Sequence, residues 1–307
     1  LRIMNKATIA ILSRDKRLYA MIPLLKKVFG TEKISFSPVY VDAKYMSMDR
    51  SLAVLKNADA VLASNAEDAL SLTEYGIGNE LCVLPVMPIP QIKRGVPVNL
   101  LFILPQSENL GTEGRDALTE TAITPKKIIL KAFDAAKVYS DRRRKQITVV
   151  KSSFISFYNR EFEHLMITKK GTDSRIITNE FMIKELIEIP SYHDVIVVPS
   201  VEGALLYRMT SNLYTVPAAM PLMLTGSSNI FAPAETLRPW TDESATAEVF
   251  AAAMMLEHGL GLEKAAERLR KSFIRVLEKG LRTLDICSED ETPVTVSEMM
   301  NSIEAEL

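Results

Sequence analysis

The chain has 307 residues, 47% hydrophobic and 24% charged, with a formal net charge of −1. This length is enough for two domains with sizeable cores, and the near-zero charge gives no global field that would draw nucleic acid. No apolar run approaches the ~18 residues of a membrane span, and the distant Cys82 and Cys287 make neither a disulfide framework nor a metal cluster.

Two scarcities narrow the chemistry. Glycine numbers 12, about half the average share of ~7%. Loops that wrap nucleotide phosphates use glycine freely, because close backbone approach and positive φ demand it. Histidine numbers three, His164, His193 and His258, so few groups titrate near neutral pH.

The opening LRIMNKATIAIL shows no targeting peptide and runs into a strand, ATIAIL (7–12). The following SRDKRLYAMIPLLKKVFG has no glycine before Gly30, and Leu18, Met21, Leu24, Leu25 and Val28 recur at helical spacing. ISFSPVYVD (34–42) alternates as a strand does. A helix near 48–57 and the strand ADAVLAS (58–64) complete a β-α-β-α-β pattern, which predicts a parallel sheet covered by helices. Residues 65–97 hold Pro85, Pro88, Pro90 and Pro97 and read as a crossing between domains.

VNLLFIL (98–104) is a buried strand, and PKKIILKAFDAAKVYSDRRRK (125–145) an amphipathic helix with proline at its start and a basic end. The run Arg142 to Lys145 reads as a solvated helix end. QITVVKSSFISF (146–157) reads as a strand containing Lys151, and NEFMIKELIEIP (179–190) as a helix stopped by Pro190. DVIVVP (194–199) is a strand, followed by a turn at Gly203 and a helix. A Pro/Gly/Ser-rich crossing runs from Pro217 to Pro239. Two strong helices close at glycines (247–261 and 262–280), and a last helix spans 296–307.

Several of these stretches form ordered motifs: ADAVL (58–62), ENLGTEG (108–114), ITVVKSS (147–153), DVIVVPSVEG (194–203), Ala252 to Leu256, Gly280 to Ile286 and Ser297 to Met299. They closely resemble the isocitrate and isopropylmalate dehydrogenases, the β-decarboxylating family, over nearly the whole chain. The resemblance implies a two-domain α/β fold with a parallel-rich sheet flanked by helices, not the common Rossmann type. It implies a large domain from both chain ends, 1–98 plus 226–307, and a small central domain, 99–225, carrying the dimer contact. It also implies an active site that borrows residues from two subunits.

The family reaction is hydride transfer from a 2-hydroxy acid followed by loss of a β-carboxylate, and it uses a divalent cation held by aspartates of two subunits. By the resemblance, two of those aspartates fall on Ala204 and Arg208, and the one lent by the other subunit falls on Glu180. Ala204 supplies no ligand, and Arg208 repels a dication. Glu180 alone is a poor magnesium site, and in a first helical turn it is otherwise an ordinary dipole-favoured acid. Lys151 matches the lysine that handles the substrate hydroxyl proton; an alternative is a lysine reaching the surface by its stem. Glu108 and Asn109 match the Glu-Asn loop and are assigned, with Arg208, to a substrate or anion. The loop after Gly114 has Arg115 and Asp116 where the family tyrosine is expected. On the nucleotide side only Asp15 remains of the glycine-rich first loop, and Glu235 and Thr236 replace a His-Gly pair.

These substitutions lead to a catalytically inactive subunit with a regulatory or structural role and no cofactor. It would pair with itself, with a paralogous subunit or within a larger assembly, in a reducing compartment such as the cytoplasm or mitochondrial matrix. An active oxidative decarboxylase of the isocitrate or isopropylmalate type, using NAD or NADP with Mg2+ or Mn2+, is the first alternative. A small-molecule anion sensor using Arg208 in the old cleft is the second. For Arg208 a plain ion pair with Glu202 stands beside both.

Overall fold

The computed structural model describes residues 6–13, 17–30, 35–41, 48–89, 92, 96–106, 125–144, 146–168, 173–234, 245–288 and 290–307. The chain divides into two compact units. One comprises Leu1–Asn79, Ile89–Ile92 and Val216–Leu307; the other comprises Glu80–Pro88 and Lys93–Thr215.

In the first unit the strands run in the order β2 (Ser35–Val41), β1 (Lys6–Leu12), β3 (Ala60–Ala63), β10 (Ile230–Pro233), β9 (Pro221–Thr225). The first four are mutually parallel, and β9 is antiparallel to β10. Helix α1 (Met21–Gly30) buries Met21, Leu24, Leu25 and Val28, the positions set by its helical spacing. Helices α2 (Met48–Asn57) and α3 (Ala66–Ser71) precede and follow β3. Helix α8 (Thr246–Met254) is buried at every residue and packs on β9 and β10. It ends in one π turn, Met255–Gly259, where a Cβ on Gly259 would stand 2.9 Å from the Phe231 ring.

Helix α9 (Glu263–Glu278) follows and joins α8 to α10 (Val296–Glu306). The motifs of this region have structural causes. Gly280 adopts φ +87°, a left-handed value that glycine alone takes freely. Arg282 is buried and donates to the Leu277 and Leu281 carbonyls. Thr295 and Glu298 form a reciprocal cap at the start of α10.

In the second unit the order is β4 (Leu81–Val86), β5 (Leu100–Pro105), β8 (Val195–Val197), β6 (Gln146–Val150), β7 (Asp173–Ile177). Only β4 is antiparallel; β5, β8, β6 and β7 are parallel neighbours. Helices α4 (Pro125–Asp141), α5 (Ser156–Thr168) and α6 (Asn179–Glu188) precede β6, β7 and β8 in turn, and α7 (Ser200–Tyr214) follows β8. Every residue of β5 and β8 is buried, as continuous apolar runs between helical layers require. The aromatic core of this layer is Phe133, Tyr158 and Phe162.

Three local readings are corrected. The proline-rich 65–97 stretch contains β4, whose Pro85 sits within a strand paired on one side to β5. The 217–239 crossing contains β9 and β10. Gly203 is no turn: it lies inside α7, four residues into the helix. There a Cβ would stand 2.6 Å from Leu104 Cγ and 2.9 Å from Val198 Cγ1, so glycine lets α7 approach β5.

Candidate functional site

Strand β6 ends at Val150, one residue before Lys151. Lys151 still pairs by its backbone, donating its amide to Ile177 O at 2.8 Å. Its ammonium lies 2.8 Å from Glu163 of α5, with both side chains close to half exposed. The lysine therefore reaches water at the rim of the sheet. An ion pair this exposed is worth only about 0–1 kcal/mol.

The next residues are held much more firmly. Ser152 N donates to Asn159 Oδ1 at 2.8 Å, and Asn159 Nδ2 returns a bond to Ser152 O at 2.9 Å. Ser152 Oγ accepts from the amides of Phe154 and Ile155 and donates to Glu202 Oε1 at 2.5 Å. Ser153 N also donates to that oxygen, at 3.1 Å. This local capping turn begins α5 and explains why the predicted strand 146–157 stops at Val150.

Glu202 therefore faces inward, and Arg208 does not pair with it. Arg208 is exposed, as are Val201, Ala204, Leu205, Asn212 and Leu213 on the outward side of α7. Residues 201, 204, 205, 208 and 212 share one helical face by their spacing. Ala204 and Arg208 thus stand one turn apart on a surface with two large apolar neighbours, Val201 and Leu205.

Glu180 is exposed in the first turn of α6. Its own backbone amide and the Thr178 side chain hold its carboxyl below the usual carboxylate range. Thr178 caps the same helix by accepting from Phe181 N at 3.3 Å. Asn179 Nδ2 reaches Ser153 Oγ at 3.4 Å, which brings the start of α6 to the turn after Lys151.

Below α6 lies a buried polar cluster that sequence reasoning missed. Arg175 of β7 grips Glu185 through both guanidinium nitrogens, at 3.2 and 2.6 Å, and stacks 4.5 Å over the Tyr192 ring. His193 is fully buried against Thr148, Arg175 and Glu185. Burial, with the Arg175 charge second, pushes its pKa down to about 4, so the ring is neutral. The cluster's members, Thr148, Arg175, Glu185 and His193, come from separate elements, so no local spacing in the sequence marks it.

The reading of the basic run at the end of α4 is corrected in part. Arg143 Nε donates to Asp194 at 2.7 Å and its Nη2 reaches Asn99, while the Arg144 amide donates to Asp194 Oδ2 at 2.9 Å. Asp194 is buried at the start of β8. Arg143 and Arg144 thus tie α4 to the start of β8, while Arg142 is exposed and Lys145 lies outside the described residues.

Asp15, Glu108, Asn109, Arg115, Asp116, Glu235 and Thr236 lie outside the described residues. For the metal, the donor set of α7 does not fit. Ala204 offers no oxygen, Arg208 brings a permanent positive charge, and no group of three His, Cys, Asp or Glu side chains stands together among the described residues. Both cysteines are free thiols, and burial pushes Cys82 up to about 12. No described helix is long and apolar enough to cross a membrane.

The sequence pattern of the isocitrate/isopropylmalate dehydrogenase family matches residues 107–303. The 3-isopropylmalate dehydrogenase of Thermotoga maritima is 26% identical over 202 residues, 61% of this chain and 54% of that protein. The match thus spans about half the length of that relative. The 3-isopropylmalate dehydrogenase of Syntrophotalea carbinolica is 26% identical over 264 residues, 81% of this chain and 69% of its own. The crystal structure of isocitrate dehydrogenase from Methylococcus capsulatus superposes with a TM-score of 0.76 over 99% of both chains at 18% identity. The α/β architecture implied by the sequence motifs is therefore the one found. The chain belongs to the isocitrate/isopropylmalate dehydrogenase family.

Proposed function

We propose that this chain is a non-catalytic subunit of the family, with a regulatory or structural role in an oligomer and no resident cofactor. One observation carries the reading: the outward face of α7 holds Val201, Ala204, Leu205 and Arg208, and no carboxylate. Val201 is 64% and Leu205 68% exposed, and Phe154 at 79% lies in the turn bound to the first turn of the same helix. Phe181, Ile183 and Ile187 are exposed on α6, which packs beside α7. An apolar surface of this kind supports contact with another subunit, not a hydrated metal site.

Arg208 and Glu180 give that contact its charge pattern. Neither side chain forms an ion pair among the described residues. In a self-pair, or with a paralogue of the same shape, the two complement one another across the interface. In this reading the pair takes the place of a shared cation, and it joins subunits without chemistry.

The test is calorimetric titration of the purified chain with NAD, NADP and magnesium, each with and without isocitrate or isopropylmalate, beside sedimentation velocity. No binding heat together with a dimer or larger species is the expected result. Reduction of either nicotinamide cofactor with magnesium and a 2-hydroxy acid would sink the proposal.

A further inference from the structure

His193 is fully buried, yet the turn just before it, Pro190–Tyr192, lies at the surface, with Ile189 47% and Tyr192 51% exposed. A side chain buried beneath a surface turn reaches water when that turn lifts, without the rest of the unit unfolding. The neighbours of the ring dictate its tautomer. Nε2 stands 3.3 Å from Glu185 Oε2, a carboxylate oxygen that accepts, so Nε2 carries the proton. Nδ1 stands 3.2 Å from Arg175 Nη2, and a guanidinium only donates, so Nδ1 accepts. Thr148 Oγ1 accepts from Arg175 Nε at 3.4 Å and donates to Nδ1 at 3.2 Å.

A second proton on the ring has one place to go, Nδ1, where it would set an N–H against the N–H of Arg175. The surrounding charges oppose it as well. Arg175 of β7 and Arg144, which follows α4 and donates to the His193 and Ser191 carbonyls, both repel an imidazolium. Glu185 of α6 attracts one, but both its oxygens are already held by Arg175. Asp194, the next residue, is held by Arg143 and Arg144. Thr148 of β6 and the Tyr192 ring, edge-on at 6.3 Å, add no compensating charge.

We propose that Thr148, Arg175, Glu185 and His193 form an acid-operated latch: neutral His193 holds the end of α6 and the Pro190–Tyr192 turn to β6 and β7, and its protonation lets that segment lift while the sheet stays folded. The closed histidine titrates at about 4 and the opened one at its ordinary 6.5. Closure is therefore fully favoured above about 6.5 and weakens as pH falls toward 4. The opening equilibrium should rise on the order of 50-fold from pH 7 to about 4.5. Lifting frees Arg175 from Glu185 and displaces Ile187, Ile189 and Tyr192, so it remodels the surface at this end of α6.

The experiment is hydrogen exchange of the full chain, read by mass spectrometry across that pH range and corrected for the intrinsic rate at each pH. The informative amides are those of Ile189, Tyr192 and His193, bonded to the Glu185, Ile189 and Pro190 carbonyls. Their protection should lie below that of α4 at every pH and should fall about 50-fold across the range. His193→Gln should remove most of that fall. Where this variant does not fold, the wild type decides alone. Protection equal to that of α4, or protection that does not change with pH, would overturn the latch, as would an undiminished fall in His193→Gln.

Discussion

The Ser152 hydroxyl lies 2.5 Å from the Glu202 carboxylate and joins the turn after β6 to the first turn of α7. The bond agrees with the rotation of α7 set by its buried side, which includes Gly203, Leu206, Tyr207 and Thr210. With Glu202 inward, the residues that follow at helical spacing place Ala204, Leu205 and Arg208 outward. The packing of the buried side, with this hydrogen bond, thus turns one face of α7 outward, beside the lysine that the family resemblance singles out.

That face should control assembly. Leu205→Asp is expected to weaken self-association at least tenfold while leaving the melting temperature of the monomer within about 2 °C, since surface changes usually cost under ~0.5 kcal/mol. Arg208→Glu alone should also weaken it, and Arg208→Glu combined with Glu180→Arg should recover most of the loss. Sedimentation across a concentration series reads all three. Equal association by every variant would remove α7 from the interface.

Gly203 should accept a methyl group only at a cost. Gly203→Ala drives a Cβ to 2.6 Å from Leu104 Cγ, and overpacking costs about 1–3 kcal/mol against ~1 kcal/mol of gained helix propensity. We expect net destabilisation of roughly 1 kcal/mol by urea unfolding. Gly30→Ala, with nothing within 4 Å of its Cβ, should be neutral or mildly stabilising. Similar effects at both positions would contradict the packing account.

Asp194 should be the most sensitive acid of the second unit. Asp194→Ala leaves Arg143 and the Arg144 amide without their acceptor beneath β8. Removing one side of a buried ion pair costs about 3–5 kcal/mol. A loss under ~1 kcal/mol in denaturant titration would show that water replaces the carboxylate readily.

His193 gives the chain a defined acid sensitivity. Its pKa is about 4 when folded, against an ordinary value of 6.5. The unfolded chain therefore binds the proton first as pH falls. The contribution is full above about 6.5, declines toward pH 4 and is gone below it, on the order of 3 kcal/mol in all. His193→Gln should flatten the stability profile across that window, read as unfolding midpoints from pH 7 to 4. A wild-type profile with the same slope as the variant would refute the assignment.

Much of the architecture was legible because its causes are local. The apolar run of β5 and the 3.6-residue spacing of α1, α4 and α9 express burial through neighbours in the chain. Strands β4, β9 and β10 were hidden because proline and serine obscured their pattern. Each becomes a strand only through a partner strand, as Leu81 pairs with Pro105 and Pro221 with Pro233. Arg143 and Arg144 looked solvated because their acceptor, Asp194, stands 51 and 50 residues away in sequence.

The sequence by itself determined the family motifs, the helices and strands with clear local periodicity, and the presence of alanine and arginine at residues 204 and 208. Those depend on residue identity and short-range spacing alone. Only the tertiary structure decided that Glu202 turns inward, that Gly203 serves close helix–sheet approach, that Lys151 pairs with Glu163, and that His193 is neutral. Each of these depends on charges and atoms brought together from distant segments, and the energy of a buried polar group is set by those neighbours, not by its place in the chain.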